Sequence, residues 1–184
     1  MLNKSAWLDQ LEALVESKLS QINETMPNNV IDFIEKYQPT IGRKPHNFDL
    51  SPFWIEPLLD NHKQKIFSTG RQVFKSTNAA SLVAWYALKE PRCEVLWIVD
   101  TDAHRLAFSE SRMRDEVFIY NDKLHPFLKT GRANLTRIRL SNGSTIFLLT
   151  DHNAYNQAEG RSAAALILVR LARPVFRKGR RLSL

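Results

Sequence analysis

A single cysteine, Cys93, stands among 184 residues, which excludes an internal disulfide. With no clear histidine partner, the thiol reads as a small buried apolar group without chemistry of its own. Also missing is any apolar run near the roughly eighteen residues that cross a bilayer. Met1-Leu2-Asn3-Lys4 lacks the apolar core of a signal peptide. The expectation is a cytoplasmic protein that does not enter a membrane. The histidines His46, His62, His104, His125 and His152 have no metal-ligand spacing among them. Neither an internal repeat nor a low-complexity tract is present.

The sharpest shortage is of acids near the C-terminus. Residues 161 to 184 contain Arg161, Arg170, Arg173, Arg177, Lys178, Arg180 and Arg181 but no Asp or Glu. They supply seven of the 26 basic groups and the whole formal charge of +7; the remaining 160 residues hold 19 basic and 19 acidic groups. Net charge is therefore no argument that the body of the protein binds nucleic acid. For the tail two readings stand: contact with phosphates through counterion release, or a solvated, disordered run.

What the chain does have is length, 184 residues, for one domain with a core or for a domain plus a helical arm rather than for two full domains, and a 43% hydrophobic content expected of a soluble globular protein. Trp7, Leu8, Leu11, Leu14, Val15, Leu19 and Ile22 form one helical stripe. A second helix is predicted from about Pro27 to Tyr37, ended by Gln38-Pro39. The polar stretch Gly42 to Asn47, broken by Pro45, reads as a linker. Ser51-Pro52 reads as the cap and first turn of a helix carrying Phe53, Trp54, Ile55, Leu58 and Leu59.

From Lys63 onward strand and helix patterns alternate, the signature of a sheet with crossover helices. Lys65-Ile66-Phe67-Ser68 is a short candidate strand, and a helix follows from about Lys75 to Lys89, stopped by Pro91. Glu94 to Val99 reads as a strand covered on both faces. Thr101 or Asp102 caps a helix running to about Tyr120 through Leu106, Met113, Val117 and Phe118. Thr136 to Leu140 and Thr145 to Thr150 flank Asn142-Gly143, a hairpin dipeptide. Ala163 to Val169 reads as another buried strand.

The segment most suggestive of chemistry is Phe67-Ser68-Thr69-Gly70-Arg71-Gln72-Val73-Phe74-Lys75-Ser76-Thr77, between a predicted strand and a predicted helix. A phosphate-binding loop needs backbone N–H groups converging at a helix N-terminus. It also needs a lysine for the terminal phosphates and a hydroxyl for magnesium, roles that Lys75 and Ser76 match. Thr69 and Phe74 occupy the two positions where the Walker pattern has glycine. The pattern alone leaves open an ordinary strand-turn-helix with an exposed lysine.

Gly70-Arg71-Gln72-Val73-Phe74-Lys75-Ser76-Thr77 resembles the loop of the large terminase subunits of tailed phages, typically Ser-Arg-Gln-apolar-Gly-Lys-Ser/Thr with the first glycine relaxed. Only Phe74 then departs from the family form. The resemblance extends from about Pro45 to Val169. Pro45-His46-Asn47-Phe48-Asp49 is similar to the approach to the first sheet strand, and Glu94 to Thr101 with the helix of Arg105, Phe108 and Arg112 to the second strand and helix. Leu140-Ser141-Asn142-Gly143-Ser144-Thr145-Ile146 and Gln157-Ala158-Glu159-Gly160-Arg161-Ser162-Ala163 resemble the family's glycine hairpin and its lead into the next strand.

The resemblance implies an α/β fold, a P-loop NTPase-like three-layer sandwich with a partial sheet: residues 1–41 a helical N-terminal arm, 42–169 an incomplete ATPase-like domain, and 170–184 a basic tail. It implies ATP and Mg²⁺ as cofactors and a motor that packages double-stranded DNA in a bacterial host cell. Its partners would be the phage portal, the small terminase subunit and further copies of itself. Gly70, Arg71, Gln72, Val73, Phe74, Lys75, Ser76 and Thr77 would bind nucleotide. Lys75 would hold the β- and γ-phosphates, Ser76 the Mg²⁺, and Arg71 would stabilise charge as the γ-phosphate leaves. A surface arginine paired with an acid is the other reading of Arg71.

After Leu166-Ile167-Leu168-Val169 the family has the Walker B acids, whereas this chain has Arg170-Leu171-Ala172-Arg173. A cation there would oppose Mg²⁺, so the expectation is a domain that binds ATP without hydrolysing it or cutting DNA. A coding frame disrupted near Val169, or a degraded gene, would explain why the break coincides with the acid-free tail. The rival expectation is a catalytically dead DNA-binding or assembly module that kept the fold; a helicase fragment is a third. Asp151 and His152 are further candidates at the sheet's carboxyl edge. Trp54 or Phe53 could stack on an adenine, although aromatics at helical spacing belong more often to a core.

Overall fold

The structure, a computed structural model, describes residues 26–41, 44–49, 51–60, 62, 66, 73–129, 136–150, 152–154 and 163–169. The stripe from Trp7 to Ile22, the lead Gln157 to Ser162 and the tail from Arg170 lie outside them.

Helix α1, Val30–Tyr37, starts later than Pro27 because Asn29 is the better cap: its side chain accepts from the Asp32 N–H at 2.9 Å. Pro27 is used differently, its carbonyl taking the indole N–H of Trp85 at 2.9 Å. Gln38, in the left-handed region at φ 50°, ends the helix with its N–H on the Ile34 carbonyl. Asn121 clasps this end from across the chain, donating to the carbonyls of Tyr37 and Gln38 while accepting from the N–H groups of Lys123 and Leu124.

The expected linker is not a bare connection. Thr40–Ile41 (β1) and Lys44–Pro45 (β2) pair as a short antiparallel hairpin, and His46 and Phe48 just beyond are buried. At Ser51 the expected cap bond is absent among the described residues; Pro52–Trp54 form a 3₁₀ turn leading into α2, Ile55–Leu59. Proline supplies the turn, and the indole of Trp54, buried at 3% exposure, decides where it packs.

Helix α3, Lys75–Lys89, matches its predicted bounds. Its last carbonyls are satisfied by the hairpin dipeptide: Asn142 Nδ2 donates to Ala87 and Leu88, and the Ser144 hydroxyl donates to Glu90. Of the dipeptide only Gly143 has positive φ, 86°, and a Cβ there would lie 3.1 Å from Arg92 Cγ. Strand β3, Glu94–Val99, is followed by α4, Asp102–Ala107, capped by the Thr101 hydroxyl. The helix then widens into an i→i+5 stretch over Phe108–Ile119, closed by Tyr120 N–H on Asp115 O. That spacing puts Phe108, Met113 and Val117 in the core and leaves Leu106 37% exposed, contrary to the 3.6-residue expectation.

The sheet is mixed and four-stranded, in the order β4 (Arg137–Arg139), β5 (Thr145–Thr150), β3, β6 (Ala163–Val169). β3 is parallel to both β5 and β6, and β4 is antiparallel to β5. Val95, Trp97 and Val99 face the main core with Ile146, Leu148, α1 and α3; Leu96, Ile98 and Leu149 form a smaller cluster on the opposite face. β3 is thus covered on both faces as predicted. β6 is not: Ala165 and Ile167 pack against the main core, whereas Ala163 and Ala164 are exposed and Leu166 is 59% exposed. The chain is therefore α/β, a small mixed sheet with helices. Among the described residues no helix is long and apolar enough to cross a membrane.

Candidate functional site

Topology brings the start of α3 to the carboxyl edge of the sheet. The helix is about 22 Å long and β3 about 20 Å, and residues 90–93 join them in a reversal. The helix must begin where β3, β5 and β6 end. In open parallel sheets this edge takes ligands, and a helix N-terminus there favours an anion.

The helix mouth is built from Val73 to Asn78. Trp54 Nε1 donates to the Val73 carbonyl at 2.6 Å, fixing the entry. Phe74 takes φ 57° and ψ 18°, and its carbonyl accepts from the N–H groups of Thr77 and Asn78 at 3.1 and 2.9 Å. Left-handed backbone costs a non-glycine residue about 1–2 kcal/mol, so the chain holds a glycine's conformation with a benzyl group attached. The phenyl ring is tilted against the His46 imidazole at 6.2 Å, and His46 meets Phe48 edge-on at 5.3 Å. Lys75 is half-buried, Ser76 exposed, and Thr77 and Asn78 buried.

Beneath the mouth lies a polar contact invisible to spacing arguments. His46, 2% exposed, and Asn78, 1% exposed, pair at 3.0 Å through Nε2 and Oδ1. This geometry needs the imidazole proton on Nε2. His46 Nδ1, Asn78 Nδ2 and the hydroxyls of Ser51 and Ser81 are buried and have no hydrogen-bond partner among the described residues. Burial lowers the His46 pKa from the usual imidazole range, against the opposing bond from Asn78. An open cleft of about 430 Å³ adjoins the ring, with Glu35, Gln38, Asp49 and Ile55 among its walls. In sequence His46 lay inside an apparent linker; the one signal was its place between Pro45 and Phe48.

Of the expected nucleotide-binding residues, Val73, Phe74, Lys75, Ser76 and Thr77 form this mouth, while Gly70, Arg71 and Gln72 lie outside the described residues. So does the candidate strand before them except Ile66, which is 96% exposed and in no strand. Asp151 also lies outside, and His152 is exposed. Trp54 is a core residue pinning the loop, and Phe53 is 55% exposed beside it. At the end of β3, His104 Nδ1 and Asp100 Oδ1 pair at 2.6 Å, a solvent-facing i,i+4 contact.

Among the described residues, a left-handed step, a half-buried lysine and an exposed hydroxyl meet at a helix start, as a phosphate loop requires, while the Phe74 side chain and the absence of Ile66 from any strand depart from one. Among them, no group of three or more His, Cys, Asp or Glu could hold a metal ion. Magnesium at Ser76 would arrive with the nucleotide's own oxygens, its usual mode of binding.

Cys93 sits apart, at the foot of β3. Burial pushes its thiol up, opposed by the hydrogen bond with Ser144, while Glu90 and Glu94 add to the rise. Alkylation by iodoacetamide at pH 8 should therefore run slower than in an unfolded control, because the thiolate is the reacting form; an equal rate would contradict the assignment.

No family model matches the chain and no curated protein matches it.

Proposed function

We propose that this chain carries a P-loop-like nucleotide-binding domain of the terminase type, which binds ATP with Mg²⁺ at the start of α3 and does not turn it over unaided. The observation that carries the reading is Phe74: a residue forced into a left-handed conformation immediately before Lys75 and Ser76, at the carboxyl edge of parallel strands. Strain of this kind persists when the surroundings dictate it, and it concentrates at ligand clamps. Lys75 would neutralise the terminal phosphates and Ser76 would meet the metal. Bound Mg²⁺ would withdraw charge from the phosphates. Arg170 and Arg173, where Walker B acids belong, support binding without hydrolysis.

The second reading, a DNA-binding or assembly module that kept the fold and lost nucleotide, is favoured by the same two arginines and by the acid-free run from 161 to 184. One pair of titrations separates them. Under the first reading Lys75→Ala should weaken ATP binding by roughly tenfold to a hundredfold, the range for losing a charged hydrogen bond, and leave duplex DNA binding unchanged. No measurable ATP binding by the unaltered chain, with or without Mg²⁺, would favour the second.

A further inference from the structure

We propose that His46 is the positioning residue for the first turn of α3, and that it holds this turn only as a neutral ring. Three contacts make the case. Its Nε2 meets Asn78, whose own N–H bonds back to Phe74; its ring lies against the ring of Phe74; and its backbone N–H bonds the Pro39 carbonyl at 2.8 Å, tying the ring to the β1–β2 hairpin. The side chain therefore bridges the hairpin segment and the strained mouth of the helix. Both partners are closed to water, so the bridge is selective about charge. Protonation would put a cation and an N–H without an acceptor at Nδ1 into a site nearly free of solvent.

The charged groups on the surrounding elements are Lys44 and Asp49 on the ring's own segment, Asp32, Glu35 and Lys36 on α1, Glu56 on α2, and Lys75 and Lys89 on α3. The carboxylates of Glu35 and Asp49 line the cleft on the outer side, exposed. Burial of the ring outweighs the opposing hydrogen bond with Asn78, and its pKa lies below the ordinary imidazole value. The released form then binds a proton that the closed form refuses. The bridge is fully stable above the ordinary imidazole range and is lost as pH falls below it. Its bearing on phosphate binding rests on the proposed function; the bridge itself does not.

Amide hydrogen exchange on the full chain between pH 8 and pH 5, corrected for intrinsic rates, tests this without nucleotide. In the unaltered protein, protection at Thr77 and Asn78 should fall by up to about tenfold per pH unit, the limit for one proton, while Val83 to Ala87 keep theirs. His46→Gln can still donate to Asn78 and cannot titrate, so it should stay protected at both ends. His46→Leu should lose protection at both. The proposal is overturned if His46→Gln shows the same acid-induced loss as the unaltered chain, or if His46→Leu remains protected. Should His46→Leu not fold, the glutamine variant alone decides. A failed ATP titration would count against the phosphate reading only.

Discussion

Trp97→Ala should destabilise the fold by about 3–5 kcal/mol, the range for removing a large aromatic from a core. Domains of this size have only about 5–15 kcal/mol in total. Trp97 is 1% exposed in the central strand, and its ring stacks on Phe108 at 3.8 Å and 6°. One side chain thus joins the sheet to the start of the widened helix. Trp97→Phe should behave differently. Its smaller ring leaves a gap, but the change also removes a buried indole N–H that has no acceptor among the described residues. The two effects oppose, and a net loss near or below about 1.5 kcal/mol is expected. Thermal unfolding reads both: a fall of roughly 10 °C for alanine against a few degrees for phenylalanine. Equal losses would mean that the N–H is satisfied and ring volume alone matters.

Phe74→Gly should tighten ATP binding by about tenfold, equivalent to about 1.4 kcal/mol. Glycine reaches φ 57° freely, and losing the benzyl group lets the amides opening α3 approach a phosphate. Stability should change little, since relief of left-handed strain is offset by the greater freedom of glycine when unfolded and by the lost contact with His46. Phe74→Ala separates the causes: it removes the ring and keeps the strained backbone. Affinity gained equally in both variants would assign the obstruction to the ring; gain in glycine alone would assign it to the backbone. If neither variant changes affinity, the phosphates do not sit at the start of α3.

How much of this could be read beforehand differs by element. α3 and β3 were legible because local rules and burial agree: a fifteen-residue helix without glycine or proline, then a nearly continuous apolar strand. The Asn142-Gly143 turn was legible as a turn but not in its second duty, since capping α3 is a contact spanning some 54 residues. Leu106 misled because i→i+5 bonding shifts the buried face and leaves no mark in the pattern. The apolar run Ala163 to Val169 suggested full burial, yet composition cannot say which face of a strand is covered, and Leu166 is left exposed. At the candidate site, Lys75 and Ser76 announced themselves by spacing. His46 and Asn78 did not, because a histidine after a proline and an asparagine in a helix look like surface until the chain folds them together.

The central strand β3 bonds on one side to β5 and on the other to β6, and both come later in the chain. During synthesis, at roughly 5–20 residues per second, one of its backbone edges stays without its final neighbour until the chain has reached Thr150 and the other until it has reached Val169, a wait of some seconds. An apolar strand left open that long invites pairing with another nascent chain. Low yield from strong expression, recovered by weaker induction or by holdase chaperones, is the expected practical consequence of a sheet assembled from the middle outward.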